Sequence, residues 1–162
     1  MKEIIERLSS YSILNNLIPG VILSFLVTNF CYIDLMQKDI FTGFFVYYFI
    51  GLIVSRIGST VIDPILIKSR LIKFANYKDY VTATKVDEKI DILSESNNFF
   101  RTIIAVLLTT GIIWLYVYVE SFWPVLKDYS NLVLFISLLI LFLLSYRKQT
   151  NYIIKRIKSN LP

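Results

Sequence analysis

Residues 40–62 read IFTGFFVYYFIGLIVSRIGSTVI, an apolar run with a single arginine, Arg56, set inside it. A hydrocarbon core about 30 Å thick needs about 20 apolar residues at 1.5 Å per residue, so length alone marks the stretch as a membrane-crossing helix. The arginine is its costly feature. Such a charge costs about 2.5–3.5 kcal/mol at the bilayer centre on insertion scales, and it needs a partner, a route to the interface or a function. Arg56 stands about six residues, or ~9 Å of helical rise, from the nearer end of its span, within reach of water for a long side chain. Asp63 lies two helical turns further on, nearly on the same face, and is the carboxylate beside which Arg56 is expected to emerge. The functional alternative is a charged ring or gate at the inner mouth of an oligomer, or a docking point for an acidic group.

The rest of the chain repeats the pattern. Three more uncharged apolar blocks lie at about residues 17–33, 102–119 and 129–146, and 56% of the 162 residues are hydrophobic against 18% charged. That composition belongs to a membrane protein, and the predicted fold is all-α: an integral membrane four-helix bundle forming a single domain over residues 1–162. Ahead of span one, Ile4, Ile5 and Leu8 at helical spacing oppose Lys2, Glu3, Glu6 and Arg7, which suits a short interfacial helix. Asn15 and Asn16 are then potential caps, with Pro19 in the first turn of the span. Glu3 and Glu6 near the N-terminus and the lack of a small-residue cleavage site argue against a secretory signal.

Small residues recur every four positions in spans one and two, Gly20, Ser24 and Thr28 in the first and Gly51, Ser55 and Ser59 in the second. Such stripes let membrane helices approach closely. In an antiparallel hairpin one register would set Gly20 against Ser59, Ser24 against Ser55 and Thr28 against Gly51, with the turn in the polar stretch 34–39.

Asp63-Pro64 is expected to end or bend span two, and amphipathic helices are expected in the segment 63–101. Its first part, ILIKSRLIKFA, suits a basic helix on the membrane surface. Residues 77–95 suit a second, soluble helix that presents Tyr80, Asp87, Ile90, Asp91 and Glu95 to a partner. Span three ends in Trp114, Tyr116, Tyr118, Phe122 and Trp123, an aromatic belt, and span four, almost all Leu, Ile, Phe and Val, is expected to face lipid. Lys and Arg number two in residues 1–16, seven in 63–101 and five from 147 onward, against one each in the two opposite loops. The positive-inside rule therefore predicts that both termini and the middle segment are cytoplasmic.

The same residues narrow the function. Histidine is absent and Cys31 is the only cysteine, which excludes His-based triads, His-ligated metals and an internal disulfide. Asp87, Asp91 and Glu95 are interleaved with Lys85 and Lys89, the pattern of a solvated face rather than of a metal or acid–base site. No phosphate-binding glycine loop or nucleophile elbow occurs, so no enzyme, cofactor or metal is predicted. The charge of +5 flanks the spans, pointing to lipid headgroups and away from nucleic acid.

The stretches NNLIPGVIL, GLIVSRIGSTVIDP, NYKDY and DEKIDILSESNNFFRT resemble a group of small bacterial four-span membrane proteins, some found near phage-defence genes. The resemblance covers most of the chain. It implies a defence role, as a membrane sensor or a membrane-disrupting effector, and transfers no catalytic residue. The expected function is thus interaction: an oligomeric sensor or partner subunit whose cytoplasmic segment receives a protein or small-molecule signal. The alternative is an oligomeric pore or effector that changes membrane permeability.

Overall fold

The computed structural model describes the backbone of residues 2–160 and the side chains of residues 13–159. Among the described residues the chain is helical throughout, without a strand: α1 Lys2–Cys31, α2 Ile40–Ile57, α3 Asp63–Lys68, α4 Tyr77–Ala83, α5 Lys89–Phe122 and α6 Val125–Asn160. A π-helical stretch, Gly58–Ile62, joins α2 to α3 without a break. Among the described residues four segments are long and apolar enough to cross a membrane: Ile13–Cys31, Ile40–Lys68, Lys89–Phe122 and Val125–Ser159. The protein is an all-α, multi-pass membrane bundle.

Its core is small and belongs mainly to three rods. Leu23, Val27 and Cys31 of α1 meet Val54 and Ile62 of the second rod and Ala105 and Val106 of α5. No break separates an interfacial helix from span one. Asn15 and Asn16 lie inside α1, and Pro19 is an interior residue rather than a first-turn one. The amphipathic face expected over residues 1–12 lies outside the described side chains.

The α1–α2 hairpin adopts a different register from the one its small residues suggest. A Cβ added to Gly20 would lie 1.8 Å from the Tyr47 carbonyl oxygen and 2.9 Å from the Gly51 nitrogen; one on Gly51 would lie 1.7 Å from the Asn16 carbonyl oxygen. Gly20 therefore faces Gly51, about two turns short of Ser59. Only the crossing of two glycines lets backbones approach this far, whereas the Gly–Ser pairs of the expected register would each hold a side chain between the helices. The connection is also anchored early. Tyr32 takes a left-handed conformation, φ 58°, immediately after α1, and Thr28 Oγ1 accepts from Leu35 N at 3.1 Å. Tyr47 Oη accepts from Gln37 N at 2.8 Å, and Asp39 accepts from the Thr42 N–H and hydroxyl at 2.7 and 2.8 Å. Those capping bonds hold the exposed Asp39 carboxyl below its ordinary value. Ser24, buried, turns its hydroxyl back to the Gly20 carbonyl at 2.9 Å instead of across the hairpin.

Asp63-Pro64 does not end the second span. The Asp63 N–H reaches back five residues to the Gly58 carbonyl, and α3 continues beyond the proline. The wider turn makes room for a ring that would otherwise crowd the preceding carbonyls. It leaves the Ser59 carbonyl without a helical donor, because Asp63 is committed to Gly58 and Pro64 has no N–H. Lys148 of α6 donates its ammonium to that oxygen instead. This arrangement predicts a coupling. Lys148→Met should cost about 1–3 kcal/mol in the wild type and measurably less beside Pro64→Ala, which gives the Ser59 carbonyl a backbone donor of its own. Chemical denaturation in micelles checks it, and equal costs in both backgrounds would rule out the capping role.

Of the basic surface helix expected over 65–75 only residues 65–68, the end of α3, are helical: residues 69–76 are turn and coil, and Arg70 has φ 62°. The helix expected over 77–95 is broken as well. The Thr84 hydroxyl donates to the Val81 carbonyl at 3.1 Å, and the Asp87 carboxylate accepts from Lys89 N at 3.0 Å. Side chains that bond to nearby backbone close one helix and open the next. From Lys89 α5 then runs on through Ser96, Asn97 and Asn98, residue types that often cap or interrupt helices, into span three. α6 begins at Val125, earlier than the expected start at 129. At 34 and 36 residues, α5 and α6 are about 51 and 54 Å long, well beyond a ~30 Å core. Their excess, residues 89–101 and 147–160, projects at the end that carries α4. Most of span four is exposed, as expected for a helix facing lipid; Leu141 and Ser145 are its buried residues, and Phe142 stacks on Phe49 at 6.3 Å.

Candidate functional site

Arg56 and Asp63 are not partners. The Asp63 carboxylate sits 3.1 Å from Arg101 Nη1 of α5 and 3.9 Å from Lys148 Nζ of α6. An unbroken α-helix would bring residues 56 and 63 to one face, but the π-helical stretch between them winds more slowly and turns Asp63 away. One carboxylate thus ties three rods together at the level where each leaves its apolar span. Gly58 makes the crossing feasible: a Cβ there would meet Arg101 Nε at 3.3 Å and Ala105 Cβ at 3.5 Å. Small residues of span three pack here, with Thr102 and Ala105 buried. Arg101 Nε is itself buried with no acceptor among the described residues, a cost of about 1–3 kcal/mol that its bond to Asp63 must offset.

Polar groups continue from this pair. The Ser59 hydroxyl donates to the Arg56 carbonyl at 3.2 Å, and the Thr60 and Ser145 hydroxyls lie 3.3 Å apart. On the other side stands an aromatic wall. The Tyr77 ring is 6.4 Å from Tyr80 and 6.2 Å from Tyr152, and Tyr152 carries Lys148 at 5.7 Å and Lys155 at 6.0 Å from its centroid. Between them opens a cavity of about 580 Å³, within the range of small-molecule sites. Arg56, Arg101, Lys148 and Lys155 line it with Asp63 as the sole carboxylate, and Asn97, Asn98 and Gln149 add amides. Chemically this is a donor-rich, positively charged enclosure. A smaller cavity adjoins it and shares Asp63, Phe74, Lys148 and Tyr152.

The other predicted site residues are dispersed. Tyr80 and Asp91 bond to each other, with the phenol donating at 3.0 Å. Burial pushes the Tyr80 phenol above its ordinary value, with the Ser94 hydrogen bond lowering it and Asp91 raising it, so it remains a donor at neutral pH. Asp87 is spent on the turn before α5, and Ile90 and Glu95 are half-buried on α5. Tyr80, Asp87, Ile90, Asp91 and Glu95 therefore do not lie on one continuous helix: α4 ends at Ala83, α5 begins at Lys89, and Asp87 falls in the turn between them. Of the packing residues, Gly20 and Gly51 make the closest contact, Thr28 holds the turn, Ser55 is half-buried, and Ser59 lines the cavity.

Arg101, Lys148, Lys155, Tyr77 and Tyr152 escape the sequence reading. A signal for the first two did exist. Asp63, Arg101 and the neighbouring Arg147 and Lys148 are the charges that bound spans two, three and four at one interface, and a carboxylate at that depth meets cations of the same depth. No family model, curated protein or solved structure matches the chain.

Proposed function

We propose that this is a multi-pass protein of a bacterial inner membrane, with its termini and the segment 63–101 cytoplasmic, that acts by interaction as a receiver of an anionic signal. The observation that carries the proposal is the cation-lined cavity built where α3, α5 and α6 leave their spans. A signal held there touches three rods at once, through side chains that already connect them. The proposed receiver works as an oligomer, for which the exposed apolar flanks of α5 and α6 offer surface within the bilayer. A role in phage defence is part of the proposal and follows from the resemblance alone.

The orientation is supported by the distribution of Lys and Arg, and reporter fusions test it. Fusions after Asn98 and at Pro162 should report cytoplasm, and those at Lys38 and Lys127 the far side. A cytoplasmic signal at Lys127 would overturn the four-span topology. The receiver itself is tested by reconstitution. Liposomes bearing the purified protein should retain an entrapped dye, and cross-linking in native membranes should capture more than one copy. Spontaneous leakage would favour a permeabilising effector instead.

A further inference from the structure

The charges around the cavity do not balance. Four cations face one carboxylate, and Arg101 and Lys148 already share it. No carboxylate among the described residues pairs with Arg56 or Lys155. Arg56 and Arg101 each stand close enough to Lys148 for their charges to repel it. Gathering like charges beside a membrane core is unfavourable unless something offsets it, and a single carboxylate offsets only part.

We propose that the cavity binds a phosphate group, which engages Arg56 and Lys155 and competes with Asp63 for Arg101 and Lys148. The proposal rests on the receiver reading and names the chemistry of its signal. A phosphate monoester carries about −1.5 to −2 charges at neutral pH, enough to offset most of the excess that a carboxylate would leave. Its three oxygens suit arginine forks, and Arg56 and Arg101 supply two of them. Lysines held over the Tyr152 ring add point charges beside it.

Competition makes binding consequential. Once Arg101 and Lys148 turn to the phosphate, Asp63 is a buried carboxylate without a partner, which is unfavourable until it moves toward water. The adjacent π-helical stretch is where the second rod can rewind to allow this. Withdrawing Lys148 also uncaps the Ser59 carbonyl. Binding would thereby loosen α3 from α5 and α6.

The phosphate has two sources, a soluble compound or a lipid headgroup, and the test separates them. The full chain in nanodiscs of phosphatidylcholine alone is titrated with inorganic pyrophosphate, and a second set of nanodiscs carries phosphatidate. Binding in the first set, weakening with salt, assigns a soluble ligand; thermal stabilisation in the second set alone assigns a lipid. Either supports the site, provided that Arg56→Gln and Lys155→Gln each weaken the effect about ten-fold or more. Asp63→Asn, by removing the competitor, should tighten binding severalfold. No effect of either phosphate, or an unchanged effect in both cation variants, would overturn the site. Unchanged or weaker binding by a folded Asp63→Asn variant would overturn the competition. The dye assay keeps the two proposals apart, since vesicles that leak spontaneously yet bind phosphate remove the receiver and leave the site standing.

Discussion

Gly51→Ala should pull the α1–α2 hairpin apart. The added Cβ would stand 1.7 Å from the Asn16 carbonyl oxygen, and the obstacle is backbone, which cannot change rotamer. Relief requires the two helices to separate along their whole contact, so the loss should reach the upper end of the usual overpacking range, about 3 kcal/mol. Gly111→Ala is the matched control. No atom of the described residues lies within 4 Å of its added Cβ, and alanine's helix propensity should leave that variant neutral or up to ~1 kcal/mol more stable. Thermal or denaturant unfolding of both in one detergent measures the contrast. A Gly51→Ala protein as stable as the wild type would mean that Gly20 and Gly51 do not cross.

The second large effect is expected at Asp63. Asp63→Ala leaves Arg101 and Lys148 without a counter-charge, and breaking a buried pair costs about 3–5 kcal/mol. The side chains of Arg101 and Lys148 are 18% and 29% exposed. Water therefore reaches them, and about 2–3 kcal/mol is the expected loss. Arg101→Met should cost a similar amount alone and much less beside Asp63→Ala, because the second substitution has no pair left to break. A double-mutant cycle by denaturant unfolding reads this, and simple additivity would mean that the pair is not a connection between rods.

How much of this the sequence reveals follows from the reach of each interaction. The four spans and the polar turn after α1 are legible, because composition over about 20 residues determines them. The hairpin register is only half legible. The right glycines are on view, but pattern counts Gly, Ser and Thr as equally small, whereas the backbones select the two residues that lack a Cβ. Arg56 invites a local partner, and the local partner fails for a local reason: the π-helical stretch alters the phase between it and Asp63. Arg101 and Lys148 are harder to foresee as site residues, since each also serves as an ordinary interfacial charge. In the segment 77–95 apolar periodicity suggests one helix, yet the short side chains of Thr84 and Asp87 divide it.

The position of these contacts along the chain bears on biosynthesis. Arg101 lies 38 residues after Asp63, and Lys148 lies 89 residues after Ser59. At ~5–20 residues per second, the ribosome supplies the first partner roughly 2–8 s after its carboxylate and the second about 4–18 s after its carbonyl. The glycine crossing, by contrast, joins neighbouring helices that leave the ribosome together. A nascent chain can complete its first hairpin while Asp63 still rests in water at the membrane edge, and the cationic cavity closes only when the last helix arrives. An interrupted translation product therefore reaches the membrane as an inserted protein with no site.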